Sequence, residues 1–166
     1  MSILVIGFSF FNRNSWNQDV YGYNYFYSQI ILEINKVRKQ KNLPGLSLNH
    51  NLKQAAQEKA VDMAKESYFS HISPINGKKW SDFIKESGYQ YLEAGENLAN
   101  GYSTTDEMVN AWMNSPSHKK NILSKTVDET GIGVYQGYLG GHKTTFVVQV
   151  FGRREKVDQV LKVVNT

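Results

Sequence analysis

The stretch from Gly131 to Gly152 restricts the possible folds of this 166-residue chain more than any other. Gly131 to Leu139 and Lys143 to Gly152 are rich in β-branched and aromatic residues, with Gly140-Gly141 between them. That pattern reads as two strands joined by a tight hairpin turn. In the second strand Phe146, Val148 and Val150 alternate with Val147, Gln149 and Phe151, so both faces are largely apolar. Such a strand must be covered on both sides, which makes it a central strand between two layers.

The covering layers lie upstream. Tyr27 to Lys41 carries Ile30, Ile31, Ile34 and Val37 at helical spacing and ends at Asn42-Leu43-Pro44-Gly45, a strong stop signal. A second helix is expected from about Asn49 to Glu66, with Leu52, Ala56, Ala60 and Met63 on one face. Its alanines suit close packing against a neighbouring layer. A short helix from Lys79 to Ser87 contains Trp80, Phe83 and Ile84 and stops at Gly88, a residue suited to a left-handed C-terminal cap. Thr104 and Glu107 form a capping-box pattern ahead of Met108, Ala111 and Trp112. Pro116 then opens another helix at its first position, with Ser115 as the N-cap and His118 in the first turn. Helices on both faces of a hairpin sheet define an α+β domain in three layers.

The length suits one domain, expected as a monomer. With 40% apolar and 20% charged residues the chain reads as soluble and globular. The net charge of +4 is spread over separated groups such as Lys36 to Lys41, Lys119-Lys120 and Arg153-Arg154. A nucleic-acid binder concentrates its base on one face, so no nucleic-acid partner is expected. The absence of cysteine excludes disulfides, thiolate metal sites and a cysteine nucleophile. Ile3 to Phe11 is apolar but too short to span a bilayer. It reads either as the hydrophobic part of a leader that starts upstream or as an apolar segment packed on the domain. Asn12 to Asn24 reads as a loose lead-in. The organisation is therefore a lead-in over residues 1–24, a domain over 25–152 and a tail over 153–166. The tail has Val157, Val160, Leu161 and Val164 at helical spacing. No later segment has the length and apolarity of a transmembrane helix.

No common catalytic signature is present: no H-E-x-x-H, G-x-S-x-G, P-loop or G-x-G-x-x-G. Three polar residues stand out in apolar or tightly turned surroundings: His71 in "YFSHISP", Glu96 in "EAGENLA" and His118 in "WMNSPSHKKNIL". Each taken singly has an ordinary structural explanation. His50 opens a helix and His142 sits at the hairpin turn, so neither is a candidate.

Together these stretches resemble a known family. "YFSHISP", "AGENLANG", "AWMNSPSHKKNIL", "GIGVYQG" and "FVVQVFG" occur in the order and spacing of the CAP domain, also called SCP/PR-1-like, in its short bacterial form. The likeness runs from about Tyr27 to Gly152. It implies an α-β-α sandwich with a central antiparallel sheet and a cleft faced by two histidines and two acidic residues. His71 and His118 match the histidines and Glu96 matches one acid. Ser115 stands where the second acid is expected, so the set is reduced.

The resemblance further implies a secreted or surface-exposed protein that binds a ligand outside the cytoplasm, whether protein, lipid or cell-envelope component. Some members hold zinc or another divalent metal through the histidines, which points to His71 and His118 as metal ligands of a weak site. Two neutral imidazoles can hold such a metal, with affinity falling as pH drops below about 6.5. The alternatives are a peptidase-like hydrolase, with His71, Glu96 and His118 as its catalytic residues, and a sterol or lipid binder or structural envelope protein. For hydrolysis, Ser70, Ser115 and Ser117 are the nearby hydroxyls.

Overall fold

The computed structural model describes residues 14–154, with side chains from Phe26 onward. In chain order the elements are α1 (Asn14–Gln40), β1 (Ser47–Leu48), α2 (His50–Lys65), α3 (Trp80–Glu86), β2 (Glu93–Asn100), α4 (Thr105–Asn114), α5 (Pro116–Ile122), β3 (Glu129–Leu139) and β4 (His142–Arg153). The strands form one sheet in the order β1-β3-β4-β2. The β3–β4 hairpin turns at Gly140-Gly141, both at positive φ, and β2 pairs antiparallel along the other side of β4. Only the two-residue β1 pairs parallel, with β3.

As the two-sided pattern of β4 requires, each face of the sheet is covered. Ile30 and Ile34 of α1 pack with Met108, Val109 and Trp112 of α4, Ile122 of α5, and Val147 and Phe151 of β4. On the opposite face Leu52, Ala56, Ala60 and Met63 of α2 pack with Phe83 and Ile84 of α3 and with Leu98, Phe146, Val148 and Val150. The domain is thus an α+β sandwich of three layers.

Two glycines set how closely α2 approaches. A Cβ at Gly131 would lie 2.0 Å from the backbone carbon of Leu52, and one at Gly133 would lie 2.2 Å from that of Ala56. The helix therefore rests directly on bare strand backbone, and its small residues make that contact possible. Asn49 caps α2, its side chain accepting from the N–H groups of Asn51 and Leu52. Thr104 caps α4 in the same way, accepting from Glu107 N–H.

The structure departs from the sequence expectations in four places. Helix α1 begins at Asn14, so most of the stretch read as a loose lead-in is helical. Once a helix is nucleated, each further residue adds a hydrogen bond cheaply, and an irregular apolar pattern does not prevent extension. Strand β2 carries no local strand signal, because its residues EAGENLAN include no β-branched side chain. The tertiary pairing with β4 overrides that weak propensity. The sheet is not wholly antiparallel, because β1 joins it in parallel. Ser115 occupies the N-cap position of α5, yet its side chain makes no capping bond; its hydroxyl lies 3.2 Å from that of Ser117. The apolar segment Ile3 to Phe11 and the tail from residue 155 lie outside the described residues.

Candidate functional site

The three candidate residues converge at the outer edge of the sheet. Gly101 N–H donates to Thr145 O, and the β2–β4 register pairs Asn97 with Gln149. By strand alternation the backbone groups of Ala94, Glu96 and Leu98 therefore point outward, away from β4. Two of these carbonyls are capped from the helical layer: Asn121 Nδ2 donates to Glu96 O (3.0 Å), and Trp112 Nε1 donates to Leu98 O (2.9 Å). These bonds seat α4 and α5 against the edge strand.

Each candidate reaches the edge from a different element. Glu96 lies on β2 between Gly95 and Asn97, on the same side of the strand as Leu98, and so turns toward the α2 and α3 face. His71 lies in the loop after α2, where Trp80 N–H donates to His71 O (3.1 Å) and Ile72 forms a bridge with Lys79. His118 lies in the first turn of α5, which Pro116 restarts after α4. Its ring stands edge-on to Trp112, with centroids 6.4 Å apart. Asn97 Nδ2 donates to His118 O at 3.2 Å, tying the helix turn to the strand. The three side chains, with Trp80, Ser117 and Asn121, line one open cleft of about 570 Å³.

Within the cleft His71 Nδ1 lies 2.6 Å from Glu96 Oε1. A carboxylate only accepts, so Nδ1 carries the proton and Nε2 of the neutral ring is left with its lone pair. The Glu96 side chain is 1% exposed and that of His71 51%, so the pair joins a buried anchor to an accessible imidazole. The hydrogen bond to Glu96 raises the His71 pKa above its ordinary value, against partial burial and the Lys59 charge, which lower it. Burial raises that of Glu96, and His71 and Lys59 pull it back. For His118, burial and the charge of His71 both lower the pKa. The two imidazoles are thus unlike: one is made more basic, the other less.

Lys59, absent from the sequence reading, is the other charge that Glu96 feels. It is 1% exposed on α2, donates to Tyr68 Oη (2.9 Å), and lies over the rings of Tyr68 and Phe83. Tyr68 in turn donates to Asp62. Among the described residues Glu96 Oε2 is buried without a hydrogen-bond partner. The apolar pattern of α2 gave no sign of this lysine's role, because a lysine on a helix is ordinarily exposed. Asn121 was equally legible only in part: it follows His118 by three residues and so shares its helix face.

Among the described residues no group of three or more His, Cys, Asp or Glu side chains is arranged to hold a metal ion. His71, whose side chain is half exposed, and His118 both line the cleft. Glu96 is engaged with Nδ1 and acts behind the imidazole, the place of a carboxylate that orients a metal-binding histidine. This donor set does not make a closed structural site, which takes four protein ligands. Ser115 does not line the cleft, and no hydroxyl of Ser70, Ser115 or Ser117 is hydrogen-bonded to either imidazole among the described residues.

The fold is that of a CAP domain. Residues 31–151 match the cysteine-rich secretory protein family, CAP, and the chain belongs to that family although it contains no cysteine. An uncharacterized Bacillus subtilis protein, YkwD, is 39% identical over 108 residues, covering 64% of this chain and 42% of its own. The chain spans less than half the length of that relative, and 32% of an uncharacterized membrane protein, YlbC, from the same organism. Among solved structures, an extracellular SCP-domain protein of Bacillus anthracis has a TM-score of 0.70 at 31% identity, over 79% of this chain and 41% of that one. An outer surface protein of Borrelia burgdorferi has a TM-score of 0.65 at 30% identity, over 77% of this chain and 92% of that one. Among the described residues no helix is long and apolar enough to cross a membrane.

Proposed function

We propose that this CAP domain works outside the cytoplasm as a ligand-binding module, with a divalent cation held weakly in the cleft by His71 and His118. The observation that carries the reading is the 2.6 Å contact between His71 Nδ1 and the buried Glu96, which leaves the accessible Nε2 free to bind. Extracellular placement rests on similarity to the Bacillus anthracis and Borrelia burgdorferi proteins, described as extracellular and outer surface. A bound cation would supply a Lewis-acidic centre for an oxygen or nitrogen of the ligand. Glu96 holds the His71 ring and its tautomer, Trp112 supports the His118 ring, and water reaches the site from the open side. Calorimetry with zinc at about pH 7.5, where neutral imidazole predominates, is the direct test. Wild type should bind and His71→Ala should not; equal heats from the two proteins would overturn the reading.

The same His71–Glu96 pair has the form of an oriented general base, which supports hydrolysis as a second reading. A hydrolase screen repeated with His118→Ala separates the two. Turnover lost in the variant favours hydrolysis, and absent or unaltered turnover removes this cleft from catalysis.

A further inference from the structure

A second cavity of about 590 Å³ opens beside the candidate cleft. The two share Ala94, Gly95, Lys120 and Asn121 as lining residues, so they form one continuous groove along the start of β2. The floor of the second half is apolar, made by Pro116 and Leu123 over the buried Val127 and Phe151. Its far rim is a hydrogen-bonded row in which Thr126 Oγ1 donates to Glu93 Oε1 (2.7 Å) and lies 2.8 Å from Ser124 Oγ. Lys119 and Lys120 stand at the α5 side, both exposed, and neither makes an ion pair among the described residues.

The backbone beneath this groove is an unpaired strand edge. Strand β2 is the last in the sheet order, and the outward carbonyls of Glu96 and Leu98 are already taken by Asn121 and Trp112. Ala94, the next outward residue toward the start of the strand, has no such cap among the described residues. By the same alternation its N–H and C=O point away from β4, and Ala94 lines both cavities. An exposed edge of this kind accepts an extended peptide by adding a strand, with side-chain pockets supplying selectivity.

We propose that the groove binds an extended, acidic peptide segment, seated by backbone hydrogen bonds at Ala94, with an apolar side chain against Pro116 and Leu123 and carboxylates toward Lys119 and Lys120. The proposal names the ligand class of the module inferred above and rests on that reading. Alternation along a strand delivers this chemistry, because successive side chains point to opposite sides.

The experiment measures fluorescence anisotropy of a labelled octapeptide of alternating valine and glutamate, against the described domain in its full chain. Binding is expected, with affinity falling about tenfold in Lys119→Glu/Lys120→Glu as favourable charge contacts become repulsive. Ala94→Pro, which removes an outward N–H that a proline at an edge strand can spare, should weaken binding by a similar factor. A valine–lysine octapeptide should bind at least about tenfold more weakly. The proposal is overturned by absence of binding, by equal affinity for the lysine peptide, or by a polyphosphate that competes as well as the unlabelled octapeptide. It is also overturned if folded Ala94→Pro binds as wild type does. Should Ala94→Pro lose its circular dichroism signature, the lysine variant decides the matter alone. Zinc calorimetry separates the two levels: zinc bound without peptide overturns only this inference, whereas peptide bound without zinc overturns only the metal reading.

Discussion

Nδ1 of His71 lies 2.6 Å from Oε1 of Glu96, joining an imidazole that is half exposed to a carboxylate that is almost wholly buried. The two come from elements 25 residues apart, the loop after α2 and the edge strand β2. What the pair does electrostatically can be measured.

Replacing Glu96 by glutamine keeps the shape of the side chain and removes its charge. The hydrogen bond to the carboxylate is the main cause of the raised His71 pKa, while burial and Lys59 act to lower it. In Glu96→Gln the His71 pKa should therefore fall to or below the ordinary value of 6.5. Titration of the His71 ring signals by NMR in the metal-free protein checks this, and an unmoved curve would contradict the pairing.

Zinc affinity should depend on pH in two stages. Metal binding needs both imidazoles neutral. His71 has its pKa raised and His118 has it lowered, so His71 becomes protonated first as pH falls. Affinity should begin to fall above pH 6.5, with one proton competing, and fall more steeply once His118 also titrates. Calorimetry between about pH 8 and 5.5 resolves the two slopes.

Glu129 makes a testable structural joint. It accepts from Tyr89 Oη (2.7 Å), Asn49 Nδ2 (2.9 Å) and Arg154 (2.8 and 3.0 Å), linking the start of β3 to the α2 cap and the end of β4. Burial pushes its pKa up, but the three partners outweigh it and hold the value below 4.5. A depressed carboxylate contributes stability above its unfolded pKa, and that contribution is lost as pH falls through the folded value. Glu129→Gln should cost about 1–3 kcal/mol near neutral pH. Urea melts should show the gap to wild type narrowing in acid, below pH 4.5.

Gly133→Ala tests the contact between helix and sheet. The added Cβ would fall 2.2 Å from the backbone of Ala56, which cannot move aside without displacing α2 from β3. The expected cost is at least about 1–3 kcal/mol, read as a lowered Tm. Gly140→Ala is the companion measurement. Nothing lies within 4 Å of its Cβ, so its cost comes only from the positive φ of 57°.

Much of the fold was readable locally. The two-faced pattern of β4 required layers on both sides, and Pro116 marked the restart that places His118 in the first turn of α5. The helices α2 to α5 lie within a few residues of where their stripes and caps put them. The family motifs drew His71, Glu96 and His118 together before any geometry was known. Strand β2 was not readable, because EAGENLAN has weak strand propensity and gains its form from pairing with β4.

The sequence by itself determined the hydrophobic periods, the helix breaks and the candidate residues, since these depend on neighbours along the chain. Tertiary structure alone decided that Glu96 lies buried within reach of the Lys59 charge, that Asn121 and Trp112 cap the edge of β2, and that Ser115 stays out of the cleft. The physical reason is the same in each case. Desolvation, hydrogen-bond geometry and charge proximity depend on distance in space, and residues such as Asn121 and Glu96, 25 positions apart, acquire that relationship only when the sheet and helices have packed.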